Sequence, residues 1–224
     1  MKAYILEAVK KGVVAAKQNL WPGVILQVIA LGLIVSYYNL EVVKQSLDKI
    51  GGLSKEWSPW FPMVTTTIFG GVIPLIIGGI QARRANKPSK TWVYIGFTLM
   101  MWAFNGYMSD WFYGFQAKLF GEELSVLTIA LKVMVDQFLW VPLYFVPIFT
   151  IAFLWRDCNF SLKSLRDALK EKNLVQRGLP LMISNWAVWI PAASIIYSFP
   201  LQLQLILMNL ILVFWSLILT LIVE

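Results

Sequence analysis

From residue 179 to residue 223 the chain runs for 45 residues without one Asp, Glu, Lys or Arg. As a single helix at 1.5 Å per residue this run would reach about 67 Å, over twice a hydrocarbon core of about 30 Å. It therefore divides into two segments, 179–199 and 203–223. Pro200 marks the break, because a proline inside a helix removes a donor and clashes with the preceding turn. Upstream, apolar spans of about 20 residues fall at 20–38, 60–81, 91–115 and 133–155. The first opens on Trp21-Pro22, a placement that suits a helix's first turn. Asp110 and Asp136 are the lone charges within the third and fourth. Membrane strands would alternate apolar and polar residues over about ten positions. These runs are continuously apolar and longer. The expected fold is all-α: one integral membrane domain over residues 1–224, a bundle of four to six transmembrane helices.

Composition agrees. Apolar residues make up 58% of the chain and charged residues 14%, against roughly 45–50% and 25% in soluble domains. So little charge cannot coat a soluble globule, and the net charge of +7 is no sign of nucleic-acid binding, because it sits in short clusters between apolar runs. Fourteen of the nineteen Lys and Arg lie in alternate connections: before residue 20, between the second and third spans, and between the fourth and fifth. Five lie in the others. With six crossings the positive-inside rule puts both termini on the cytoplasm-like side. An inner bacterial membrane and an organellar membrane, mitochondrial inner or peroxisomal, satisfy this bias equally. The connection after the fourth span holds a helix of its own over 162–177. Ser161 is placed to cap it and Gly178 to end it. Leu162, Leu165, Ala168 and Leu169 share one face and Lys163, Arg166 and Lys170 mostly the other. Such a basic amphipathic helix is expected to lie in the membrane interface on the cytoplasmic side, with a gating or partner-docking role as the alternative.

The chemistry is narrow. The chain has no histidine, which excludes His-based triads, zinc sites and proton relays. One cysteine, Cys158, forms neither an intramolecular disulfide nor a multi-thiolate metal site. No cofactor or metal is implied. Ionisable and amide groups inside a bilayer face the bundle interior or a water-filled cavity. That singles out Asn105 and Asp110 in the third span, Lys132, Asp136 and Gln137 at the fourth, and Asn185 in the fifth, with Asn209 in the sixth. Lys132 and Asp136 stand four apart and can pair on one helix face. Pro142, Pro147, Pro191 and Pro200 are the expected helix kinks.

Lys132, then Asp136-Gln137, then Pro142, in the context LKVMVDQFLWVP, resembles the Mpv-seventeen/22-kilodalton peroxisomal membrane protein family. That family's upstream Gly-Pro-x-x-His-x-Trp-Tyr motif is similar to residues 106–113, GYMSDWFY. Gly106 and Tyr113 match, Tyr107 replaces the Pro, Asp110 the His and Phe112 the Trp. Asn185-Trp186, Trp189, Pro191, Pro200 and Trp215 follow its C-terminal pattern, with Gln204 where an Arg is usual. The resemblance covers roughly residues 91–219. It implies a small organellar membrane protein, usually drawn with four spanning helices, with channel-like permeability to small hydrophilic solutes. On that implication Asp136, Gln137, Asn105 and Asp110 line a polar path. The partners are the lipid bilayer and small hydrophilic solutes, with a homo-oligomer left open. Two readings stand beside it. One is a non-transporting assembly protein whose polar groups serve helix contacts; the other is an intramembrane enzyme using Asp110 and Asp136 as an acid/base pair. The expectation is a channel and no enzyme.

Overall fold

In the computed structural model residues 20–222 are described, and every regular element among them is helical. The basic N-terminal stretch with Lys2, Lys10, Lys11 and Lys17, and the final Val223 and Glu224, lie outside the described residues. The order is α1 (Leu20–Asn39), α2 (Glu41–Glu56), α3 (Trp60–Thr66), a π-helical stretch Thr67–Val72, and α4 (Ile73–Arg84). Then come α5 (Trp92–Phe120), α6 (Val126–Val135), a second π-helical stretch Asp136–Phe145, and α7 (Val146–Asp157). The short α8 (Leu162–Glu171) precedes α9 (Leu174–Ile196) and α10 (Leu201–Ile222).

Local chemistry sets these limits. The side chain of Thr91 accepts from the Tyr94 N–H at 3.2 Å and starts α5. Ser125 does the same for α6 and Ser161 for α8, satisfying donors that a helix start leaves free. Asn173 and Gln176 form a reciprocal capping box, both bonds 2.9 Å, and open α9. Gly121 ends α5 with φ +82°, a left-handed conformation that favours glycine.

Three expectations change. The amphipathic helix expected over 162–177 stops at Glu171, because the Asn173 capping box starts a new helix. Gly178 is therefore inside α9, where a side chain would collide with Val146. Residues 41–56, read as a polar connection, form α2, which packs on α1 and the start of α10, with Gly51 against Gln202 and Leu203. The fourth segment begins at Val126 rather than 133, and Val126–Asp157 is one helix of 32 residues. That helix and Trp60–Arg84, 25 residues, are long and apolar enough to cross a membrane.

The two ends of the bundle differ. Tyr38 donates to the Ser198 carbonyl at 2.8 Å, and Ser58 donates to Asp110 at 2.9 Å. These contacts bring the end of α1, the start of α3, the later turns of α5 and the α9–α10 turn to one end. At the other, the Arg156 guanidinium stacks 4.0 Å from the Tyr94 ring centre and donates to Thr98 at 2.9 Å. There the basic 82–90 connection, Arg156 and α8 gather.

Between the ends polar side chains are buried beside apolar ones, while many large apolar side chains face outward. Asn105, Gln116, Gln137, Gln204, Asn209 and Thr66 are buried. Val28, Val35, Ile76, Met100, Met134, Leu139 and Leu143 are exposed. An apolar exterior around an interior that also holds polar groups fits a hydrocarbon solvent, where polar groups gain from facing one another. The densest core lies at the α9–α10 turn, around Ala192, Ile196, Tyr197, Phe199 and Leu203. Glycines admit close contacts where they are needed: Gly70 and Gly71 lie under Trp102 and Leu99, and Gly106 lies on the Pro62 carbonyl. Gly78 and Gly79 face open space.

Candidate functional site

The site begins with an irregularity in Val126–Asp157. From Asp136 to Phe145 the helix widens to π geometry, with bonds such as the Val146 N–H to the Val141 carbonyl, five residues back. In that register the Gln137 carbonyl should receive an N–H from the residue five ahead. That residue is Pro142, which has none. The indole N–H of Trp186, from α9, fills the gap at 2.9 Å. A wide turn, a proline and a tryptophan on the neighbouring helix thus explain one another. Trp186→Phe should therefore lower stability by about 1–3 kcal/mol, the cost of orphaning a buried carbonyl, while the ring keeps its contact with Phe138. Thermal unfolding in detergent reads the shift, and an unchanged midpoint would rule out this account of the wide turn.

Asp136 stands at the head of the wide turn, buried. Tyr197, at the end of α9, donates its hydroxyl proton to Asp136 Oδ2 at 2.9 Å. Gln116 of α5 donates through Nε2 to the Tyr197 Oη at 2.6 Å. Tyr113 closes the group edge-on against the Tyr197 ring, centroids 5.6 Å apart. Three helices therefore meet at one carboxylate through a chain of two hydrogen bonds.

Below this network lies a cavity of about 330 Å³ between the π stretch, α5, α9 and α10. Asn105, Ser109, Asp136, Gln137 and Asn185 form its polar lining. Trp102, Phe112, Tyr113, Trp140, Phe145 and Trp189 bring aromatic rings to it. Trp140 is sandwiched between Phe112 and Tyr144, each stacked at 4.1 Å between centroids, which fixes its orientation. Asn105 Oδ1, Gln137 Oε1 and Gln116 Oε1 are buried without a hydrogen-bond partner among the described residues.

The residues singled out in the sequence thus separate. Asn105, Asp136, Gln137 and Asn185 come together at the cavity. Asp110 does not; it accepts from Ser58, in the connection between α2 and α3. Lys132 is buried one turn before Asp136, but no ion pair joins the two among the described residues. Its acidic neighbour is Glu122, in the α5–α6 connection. Asp136 turns to Tyr197 instead. Among the prolines, Pro142 sits within the π stretch and Pro147 in the first turn of α7. Pro191 is carried inside an unbroken α9. Pro200 lies in the turn between α9 and α10 rather than in a kinked helix. Gln116, Tyr197 and Trp140 escaped the sequence reading. Gln116 at least carried a signal, an amide one turn past the aromatic run of α5; Tyr197 carried none.

The C-terminal helices decide the comparison with known proteins. Residues 163–220 match the Mpv17 / PMP22 family. The match begins in α8 and covers α9 and most of α10, so Tyr197, Trp186 and the Asn185–Trp189 wall of the cavity fall within it. The Lys132–Asp136–Pro142 pattern, which resembles the same family, lies outside the matched stretch. No curated protein and no solved structure matches the chain. That similarity and the two helices long enough to span a bilayer support a membrane protein.

Proposed function

We propose that the cavity is the mid-membrane part of a path for small hydrophilic solutes, in a chain that crosses the bilayer six times. The observation that carries this reading is the polar lining at its centre: Asn105, Ser109, Asp136, Gln137 and Asn185 around a space of about 330 Å³. Amides and a carboxylate are costly inside a bilayer bundle unless they meet one another, water or a solute. The gathering of basic connections at one end supports an orientation with that end toward the cytoplasm or matrix. The membrane is then an inner bacterial or an organellar one, and the partners are lipid and solute. This reading assigns no catalysis to Asp110 and Asp136, which lie in different settings, one against Ser58 and one at the cavity.

The test is solute flux into liposomes holding the purified chain. Uncharged polyols of increasing size should enter faster than into protein-free liposomes, with a size cutoff. Ser109→Phe, which fills the cavity from α5, should bring entry down to near the protein-free background while the chain still unfolds cooperatively. Background flux with the natural chain, correctly folded, would overturn the path. The packing reading would then stand, with the polar groups serving helix contacts worth about 0.6 kcal/mol each on average.

A further inference from the structure

Asp136 is the one charged residue among those described as lining the cavity, and no Lys or Arg is among them. Lys132, the cation nearest in sequence, does not pair with it and has Glu122 as its acidic neighbour. The carboxylate's direct supports are neutral: the Tyr197 hydroxyl and the adjoining Gln137 amide. A buried carboxylate without a counter-charge is costly, and the remaining lining favours a particular kind of remedy. Aromatic faces attract cations through their quadrupole, tryptophan most strongly, and Trp102, Trp140 and Trp189 all line the space. Asn105 and Gln137 hold buried carbonyl oxygens without partners, so the site is rich in acceptors.

We propose that this cavity binds a small organic cation, an ammonium group held between the Asp136 carboxylate and the tryptophan rings. The proposal rests on reading the cavity as a solute site. A space of about 330 Å³ holds on the order of eleven waters at about 30 Å³ each, room for an ammonium on a short aliphatic chain. An anion meets Asp136 and no compensating cation. An uncharged solute leaves the carboxylate unpaired.

Three probes of one shape separate these cases: choline, its uncharged carbon isostere dimethylbutanol, and the anionic isostere dimethylbutyrate. Each is titrated against the purified full chain, reading tryptophan fluorescence and calorimetric heat. Choline should bind saturably and at least about tenfold more tightly than either isostere, the scale of a desolvated cation–π contact with a carboxylate beside it. Asp136→Asn should lower the choline preference severalfold, leaving the smaller part that the tryptophan rings supply. The ratio in the natural chain decides the matter even if the variant fails to fold: equal affinities, or a preference for the uncharged or anionic probe, overturn the proposal.

Choline and erythritol entry into the same liposomes keeps the two readings apart. Erythritol entry with no choline preference leaves the path standing and removes the cation site. Selective choline binding with neither solute crossing keeps the cation site and removes the path.

Discussion

Gly106→Ala should destabilise the protein by about 1–3 kcal/mol, and a larger side chain there should abolish folding. A Cβ at this position would fall on the Pro62 carbonyl and within 3.0 Å of Met63 Cα. Those are backbone atoms, so no rotamer change relieves the overlap and α3 would have to move away from α5. Gly114, two turns along the same helix, meets nothing within 4 Å. Gly114→Ala should be neutral or stabilising by up to about 1 kcal/mol, through the better helix propensity of alanine. One helix and one chemical change thus predict opposite signs. Unfolding midpoints of the two variants in detergent, measured side by side, test this; equal midpoints would mean that the α3–α5 contact is not as tight as described. The result would also give a physical role to the one glycine that the 106–113 motif shares with the family it resembles.

Tyr197→Phe should cost more still, about 2–5 kcal/mol. It removes no volume but leaves two buried groups, Asp136 Oδ2 and Gln116 Nε2, without their partner, at about 1–3 kcal/mol each and more for a charged one. Because the bonds form a chain, the losses should not be additive. In a Gln116→Leu background one of the orphans is already gone, so Tyr197→Phe should be milder there, with a coupling of about 0.5–3 kcal/mol. Additive losses, within about 0.3–0.5 kcal/mol, would show that Gln116 and Tyr197 act separately. Stability rather than flux is the readout, which keeps this test independent of what passes through the protein.

Charge-free run lengths made the helical character and most segment positions legible, because a hydrocarbon solvent demands long apolar stretches and tolerates few exceptions. That the last run divides followed from its length, and Pro200 gave the place. Asn105, Asp136, Gln137 and Asn185 could be picked out because amides and carboxylates are scarce within apolar runs, so each one there stands out. Their company could not. Tyr197 is an aromatic among 32 others, and only the turn after α9 brings its hydroxyl to Asp136. The Lys132–Asp136 pairing failed for a related reason. Four-residue spacing places two side chains together on a regular α-helix, but Asp136 is where this helix widens. Helix α2 was missed because its apolar stretch is short and interrupted by charge, and the end of α8 because a capping box at Asn173 competes with a periodicity that runs on to Arg177.

The wide turn from Asp136 to Phe145 has a consequence for how this helix tolerates change. Each residue of an α-helix advances the side-chain direction by about 100°. A π turn takes up an extra residue without a matching advance, so α6 and α7 keep independent phases: Val133 faces the interior before the turn and Phe149 after it. The stretch therefore works as a slip joint. Removing one residue inside it would draw the wide turn back toward α geometry and leave both flanking faces aimed as before, at the expense of the Gln137–Trp186 match. The same change in the unbroken α5 would swing every side chain beyond it by a quarter turn, carrying Gly106 off Pro62 or Gln116 off Tyr197.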